Sequence, residues 1–172
     1  MDPTLVTTCC QIANFPNPNS VTNMTHSTKS NRDATRLIRL GAVVCGIGVA
    51  LGALGAHALA GVIGDWYVAE TAAKKLSSWD TAVRYQLIHG LGLIAIGLLL
   101  RSFGDCQRLR IAAACFLFGT VLFSGDLYLW VLTDIKAFVL IVPVGGFLFI
   151  IGWVLVACGR LQNPEPAPQI QE

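Results

Sequence analysis

Residues Trp79–Leu100 read WDTAVRYQLIHGLGLIAIGLLL, and the other apolar segments of the chain are best understood in relation to this one. Its first half carries ionisable and polar side chains, whereas the second half is apolar. An α-helix rises about 1.5 Å per residue, so the residues from Asp80 to Leu100 cover about 30 Å, which is the thickness of one hydrocarbon core. We therefore predict a membrane-spanning helix here, with the other apolar segments packed around it.

The composition of the 172-residue chain is typical of a membrane protein with several spans. Hydrophobic residues make up 54% of the chain and charged residues only 13%, whereas soluble domains carry about 25% charged residues. The net charge is +2, and no basic patch is interleaved with aromatic residues, so we predict no binding of nucleic acid.

The cysteines do not follow the spacing of a metal site or of a disulfide framework. They lie in a polar tail, in apolar runs and in a loop: Cys9, Cys10, Cys45, Cys106, Cys115 and Cys158. The sequence contains no CxxC motif and no Cys/His pair at zinc spacing. We expect inert thiols, and we predict neither a metal nor a cofactor.

Four apolar segments are long enough to cross a bilayer, at about 37–59, 80–100, 111–132 and 137–158. The polar residues 1–36 are predicted to be a disordered N-terminal tail, and residues 159–172 a disordered C-terminal tail. The N-terminal tail lacks the basic and apolar regions of a secretory signal, and Met24 is a plausible alternative start.

The segment 60–79 is too polar to cross the membrane, but its apolar residues fall at helical spacing. We predict a short interfacial helix there, with an exposed loop helix as the alternative. Basic residues flank the spans unequally: Lys29, Arg32, Arg36, Arg39, Arg101, Arg108, Arg110 and Arg160 on one side, Lys74, Lys75, Arg84 and Lys136 on the other. The positive-inside rule then places both termini in the cytoplasm. The predicted fold class is an all-α integral membrane protein, a four-transmembrane-helix bundle (N-in/C-in) in the cytoplasmic (inner) membrane.

Small residues recur at intervals of three, four and seven along two of the spans. In lipid, such a face lets helix backbones approach one another and pack. The residues predicted to pack in this way are Gly48, Gly52 and Gly55 in the first span, and Gly145 and Gly152 in the fourth.

Ionisable and polar side chains inside the spans form the candidate site, because such groups are costly in lipid. They are His57, Arg84, Tyr85, Gln86, His89, Asp126 and Tyr128. A hydrogen-bonded belt that docks the helices is the favoured interpretation. A haem or metal site between His57 and His89 is disfavoured, because the two residues differ in depth. We expect Asp126 either to carry a proton or to meet a cation, and we predict a contact between Asp126 and His89 with Tyr85 or Gln86 alongside.

Four stretches together resemble a known family: GALGAHAL, WDTAVRYQLIH, LFSGDLY and PVGGFLFIIGW. They are similar to the small four-helix membrane proteins typified by the bacterial inner-membrane protein YgdD, a family defined by a domain of unknown function. The resemblance covers about 36–158 and marks Gly55–His57, Tyr85, Gln86, His89, Ser124, Gly125 and Pro143–Gly146 as signature positions. Asp126 stands where the family more often has serine. The resemblance implies the fold and the membrane location, and it implies no activity.

Three functions remain open. The first is a non-enzymatic membrane protein with a structural or partner-binding role, whose partners are the lipid bilayer and a membrane protein or a second copy of the chain. The alternative is a small transporter or proton-handling protein that uses the His/Asp/Tyr cluster. A membrane enzyme with His57 and His89 as acid and base is the third. We predict no catalytic residue, because the sequence shows no nucleophile–base pair and no phosphate loop.

Overall fold

The computed structural model describes residues 18–159, with side chains from residue 31 onward, and this part of the chain is helical without strands. The elements are α1 (Pro18–Leu54), a π-helical segment (Gly55–Leu59), α2 (Ala60–Trp66), α3 (Ala69–Phe103), α4 (Gln107–Thr120), a second π-helical segment (Val121–Gly125), α5 (Asp126–Thr133) and α6 (Ala137–Ala157). They join into four helices long and apolar enough to cross a membrane: Asn31–Trp66, Ala69–Phe103, Gln107–Thr133 and Ala137–Ala157. The prediction of four helices long and apolar enough to cross a membrane is confirmed.

The four spanning helices run alternately up and down. At one end of the bundle, which we call the Arg110 end, Arg110 pairs with Asp33 and Arg108 donates a hydrogen bond to the carbonyl of Cys158. At the opposite end, the Lys75 end, Lys75 of α3 contacts the carbonyl of Val131 in α5. The beginning of the first spanning helix and the end of the fourth therefore lie at the same end of the bundle.

Helix α3 is the central element, because it packs against α1, α4 and α5. Its 35 residues correspond to about 52 Å, so its ends project beyond a hydrocarbon core of about 30 Å. The helix ends at Gly104, whose φ of 86° is readily adopted only by glycine. The Gly104 N–H donates to the carbonyl of Leu100 and closes the last turn.

Helices α1 and α3 approach one another through glycines. A Cβ atom added to Gly41 would lie 2.7 Å from the carbonyl oxygen of Gly90, and one added to Gly97 would lie 2.9 Å from the carbonyl oxygen of Ala34. The predicted packing residues of the first span also face α3: Gly48 meets Leu87, Gly52 meets Val83 and Gly55 meets Trp79. Any larger side chain at Gly41 or Gly97 would push two backbones apart.

Helix α6 packs against the third spanning helix through its own small residues. A Cβ atom on Gly145 would lie 2.6 Å from the backbone nitrogen of Phe123, and one on Gly152 would lie 2.5 Å from the ring of Phe116. Pro143 lies inside α6. Because its ring removes a backbone N–H, α6 lacks one internal hydrogen bond there.

Two apolar cores lie at opposite ends of α3. The core at the Arg110 end includes Leu93, Ile96 and Leu100 of α3, and the core at the Lys75 end includes Ala72 and Trp79. Between these two sets α3 buries Gln86 and His89. The interior therefore consists of two apolar layers separated by a polar one.

The predicted interfacial helix over 60–79 is corrected by the structure. An extended pair of residues, Tyr67 and Val68, divides this segment. Residues 60–66 continue the first spanning helix as α2, and residues 69–79 are the first turns of α3. The apolar residues of the segment lie in two helices, and Ile63 and Ala72 join the core at the Lys75 end.

The predicted disordered N-terminal tail also differs from the structure. Helix α1 begins at Pro18, so residues 18–36 of that tail are helical. Proline suits the first turn of a helix, where its missing N–H costs nothing. Residues 1–17 and the predicted tail from residue 160 lie outside the described residues.

Candidate functional site

Gln86 is the centre of the polar layer and joins three spanning helices. Its side chain is 6% exposed. Its Nε2 donates to the carbonyl of Val44 in α1 at 2.9 Å, and its Oε1 accepts a hydrogen bond from the Tyr128 hydroxyl of α5 at 3.0 Å. Tyr128 also packs its ring against Trp79, with centroids 4.6 Å apart. The amide therefore links α1, α3 and α5 within one cluster.

His89 lies one turn further along α3, with both ring nitrogens engaged. Its Nδ1 lies 2.8 Å from the carbonyl oxygen of Tyr85, and its Nε2 lies 3.2 Å from Nε1 of Trp153 in α6. A carbonyl can only accept and an indole N–H can only donate, so these partners place the proton on Nδ1 and leave Nε2 as the acceptor. The arrangement suits a neutral imidazole.

Aromatic rings enclose the imidazole of His89. Phe149 stacks on it with centroids 3.4 Å apart and planes inclined by 9°, and Phe116 meets it edge-on at 5.1 Å. The residue is only 3% exposed. A groove of about 480 Å³ runs along α3 and α6, and His89 itself belongs to its lining, together with Tyr85, Ile88, Pro143, Phe147, Ile150 and Trp153.

The second π-helical segment, Val121–Gly125, places another polar group in the layer. Ser124 is 1% exposed, and its hydroxyl donates to the carbonyl of Ala82 at 2.8 Å. A π-helical turn contains an extra residue, so it changes which side chains face a neighbouring helix. Beyond the segment, Tyr128 and Val131 face α3 through their contacts with Gln86 and Lys75.

The predicted contact between Asp126 and His89 is wrong. Both ring nitrogens of His89 are already engaged by Tyr85 and Trp153. Asp126 is 8% exposed, and its Oδ2 is buried without a hydrogen-bond partner within the described residues. The physical reason lies in helix rotation. Ser124 and Tyr128 occupy the α3 side of their helix, and Asp126 falls between them in sequence, about 200° around the axis from each.

Two other residues of the predicted cluster lie outside the polar layer. His57 is exposed, within the first π-helical segment. Arg84 is also exposed, and it forms no ion pair with the residues that the structure describes. The layer thus gathers Gln86, His89 and Tyr128. Tyr85 is exposed and contributes its carbonyl and its ring, which stacks on His89. Asp126 is buried, and its Oδ2 has no partner among the described residues.

Lys75 is a buried cation, although in the sequence it belongs to the polar segment 60–79. It is 0% exposed. Its Nζ pairs with Asp134 Oδ1 at 2.7 Å, donates to the carbonyl of Val131 at 3.2 Å, and lies over the ring of Tyr67 at 4.5 Å. A signal was present in the sequence, because Lys75 falls in the series of buried α3 positions Ala72, Lys75, Trp79, Ala82, Gln86 and His89, at alternating intervals of three and four.

The described side chains include no group of three or more His, Cys, Asp or Glu residues placed to hold a metal ion. A haem between His57 and His89 would need two free imidazoles facing one cavity. His57 is exposed, whereas the Nε2 of His89 accepts from Trp153. Hydrogen bonds between spanning helices join the residues of the polar layer.

Comparison with known proteins gives the family. Residues 51–146 match the family DUF423, whose description is "Protein of unknown function". A UPF0382 membrane protein of Staphylococcus epidermidis is 40% identical over 125 residues, which are 73% of this chain and 94% of the relative. This chain belongs to the UPF0382 membrane protein family. YwdK of Bacillus subtilis, another member, is 38% identical over 73% of this chain and 95% of its own length.

A third member, from Haemophilus influenzae, is 35% identical over 127 residues, which are 74% of this chain and 92% of that protein. No solved structure matches the chain. The expected membership in a membrane protein family of unknown function is confirmed, while the specific link to YgdD stays a prediction. The match to DUF423 contains Gln86, His89, Ser124 and Asp126, so the polar layer lies inside the family's region.

Proposed function

We propose that this UPF0382 member is a non-enzymatic, multi-pass protein of the cytoplasmic membrane with a structural or partner-binding role. The observation that supports the proposal is that the buried polar groups form hydrogen bonds between spanning helices. Gln86, His89 and Ser124 each form a hydrogen bond with another spanning helix. Trp79 adds another such bond, from its Nε1 to the carbonyl of Leu51 at 2.9 Å. These groups fix the mutual arrangement of the helices.

The geometry of His89 argues against a proton relay through this residue. Protonation of Nε2 would direct one N–H group at another, that of Trp153, in a site enclosed by aromatic rings. A relay group must exchange its proton with water or with a neighbouring acid or base. Here the neighbours are a carbonyl and an indole N–H, and neither one is an acid or a base near neutral pH.

An N-in/C-in orientation is part of the proposal. Six arginines lie at the Arg110 end among the described residues: Arg32, Arg36, Arg39, Arg101, Arg108 and Arg110. The Lys75 end carries Lys74, Lys75 and Lys136, and Arg84 of α3 lies nearer to this end than to the other. The positive-inside rule favours the Arg110 end as cytoplasmic.

A small proton-handling transporter is the second candidate, and Asp126 is the observation that favours it. A buried carboxyl oxygen without a partner in the described part is unusual, and ionisable groups at membrane depth often serve in transport. Asp126 begins α5 directly after a π-helical segment, a feature that often marks functional sites.

Proton flux into proteoliposomes distinguishes the two candidates. The purified protein is reconstituted with a trapped pH-sensitive dye, and a pH gradient is imposed. We expect the same leak as in protein-free vesicles. A protein-dependent flux that disappears in Asp126→Asn or His89→Ala, and persists when exposed Asp65 is changed to Asn, would contradict the structural role and support transport.

A separate experiment tests partner binding. The tagged chain is extracted from its native membrane in a mild detergent, and its size and companions are measured. We expect a defined complex with a membrane protein or with a second copy of the chain. A monomer without companions at native expression levels would contradict the partner-binding role.

A further inference from the structure

A second groove, at the Lys75 end, is separate from the polar layer. It has a volume of about 480 Å³ and lies between α3, α5 and α6. Its polar lining consists of Lys74, Ser78 and Lys136, and its apolar lining of Leu127, Trp130, Val139 and Leu140. The groove thus combines two cations from different helices with an apolar wall.

The positive charge of this groove is not neutralised within the described residues. Neither Lys74 nor Lys136 has a carboxylate within ion-pairing distance, and no acidic residue lines the groove. The nearest acids along the chain are Glu70, one turn before Lys74, and Asp134, which pairs with Lys75. Asp134 is therefore already engaged, and the two remaining ammonium groups face the same cleft.

The depth of the groove follows from one contact and from the length of α6. The bond from Lys75 to the carbonyl of Val131 places this turn of α3 level with the end of α5. Lys136 directly precedes α6, whose 21 residues cover about 31 Å, or one hydrocarbon core. Both lysines therefore lie at the level of lipid phosphates. Leu127, six residues before the end of α5, lies about 9 Å deeper.

We propose that this groove binds a phospholipid with a net negative headgroup. The phosphate lies between Lys74 and Lys136, and one acyl chain follows Leu127, Val139 and Leu140. Trp130 lies at the boundary between the two parts, where tryptophan is favoured in membrane proteins. A protein partner would need a matching acidic segment at this depth, whereas an anionic lipid supplies both the charge and the apolar chain.

Native mass spectrometry of the full chain tests this inference. The purified protein is equilibrated with equal amounts of dioleoylphosphatidylglycerol and dioleoylphosphatidylcholine, and the bound lipids are counted. Each ammonium group near an anionic headgroup favours binding about five-fold. We therefore expect Lys74→Gln with Lys136→Gln to reduce the preference for phosphatidylglycerol about 25-fold, and the double arginine variant at the same positions to retain it.

The matched control is Arg32→Gln with Arg39→Gln, which removes two exposed cations at the opposite end. This variant should keep most of the preference for phosphatidylglycerol over phosphatidylcholine. The inference is overturned if the wild-type protein binds both lipids equally, or if the Arg32/Arg39 variant loses as much preference as the lysine variant. Equal lipid binding together with lysine-dependent capture of an acidic membrane protein would also overturn it.

Discussion

Lys75 shows how the surroundings of one side chain decide its role. In the sequence it lies beside Lys74, and both fit a solvated face. In the structure Lys74 is exposed, whereas Lys75 lies beneath Tyr67 and Trp130 and meets a carbonyl at the end of α5. A cation near a helix C-terminus is favoured by the helix dipole and by the unpaired carbonyls there. Lys75 thus joins α3 to the end of α5.

Replacing Lys75 by methionine should therefore lower the stability of the protein. The change keeps the side-chain length and removes the hydrogen bond to Val131 and the ion pair with Asp134. Hydrogen bonds to charged groups contribute about 1.5–3 kcal/mol, and we expect a loss in that range by thermal unfolding in detergent. Lys74→Met, at the exposed neighbouring position, should change stability by less than about 0.5 kcal/mol. Equal effects of both changes would show that Lys75 has no structural role.

Replacement by leucine should change the free energy of unfolding differently at Asp126 and at Gln86. Asp126 has a buried oxygen without a partner in the described structure, so Asp126→Leu should leave the free energy of unfolding unchanged or raise it by about 1 kcal/mol. Gln86→Leu removes hydrogen bonds to Val44 and Tyr128 and should lower it by about 1–3 kcal/mol. Thermal unfolding in detergent measures both. A large decrease in the free energy of unfolding of Asp126→Leu would show that Asp126 has a stabilising partner.

At the scale of the helices, the spans were predictable and their rotations were not. Span positions follow from the length of apolar runs, which the bilayer thickness sets. Helix α6 is apolar on all sides, so no polar face marks the side that meets the bundle. The π-helical segment at Val121–Gly125 leaves no pattern in the sequence that we recognise, yet it belongs to the helix that carries Asp126. This is why Gln86 and His89 were predicted as site residues while the partner of His89 was predicted wrongly.

The glycine contacts between α1 and α3 give a prediction at this scale. Gly41→Ala would place a Cβ atom 2.7 Å from the carbonyl oxygen of Gly90 and force the backbones apart. Overpacking typically costs about 1–3 kcal/mol, and we expect a loss of this size in thermal stability. Gly46 of the same helix has nothing within 4 Å of an added Cβ. Gly46→Ala should therefore be neutral or slightly stabilising, since alanine favours helices. A similar loss in both variants would mean that α1 does not pack on α3 through this face.

At the scale of the whole molecule, the orientation in the membrane is open to direct measurement. Ser77 and Gln107 are exposed and lie near the Lys75 and Arg110 ends. In a variant without native cysteines, a thiol at Ser77 should react with an impermeant reagent added to intact cells. A thiol at Gln107 should react only after the membrane is opened. The reverse pattern would contradict the N-in/C-in orientation.

We propose that the polar layer between the two apolar cores holds the four spanning helices in place and relays no proton. His89 tests it most directly, because its two partners allow a single neutral tautomer. We propose solid-state ¹⁵N NMR of histidine-labelled protein in lipid bilayers at neutral pH, with Trp153→Phe as the reference for an unpaired Nε2. We expect a proton on Nδ1, none on Nε2, and a shift of the Nε2 signal in the Trp153→Phe variant. A proton on Nε2, or protons on both ring nitrogens, would contradict it.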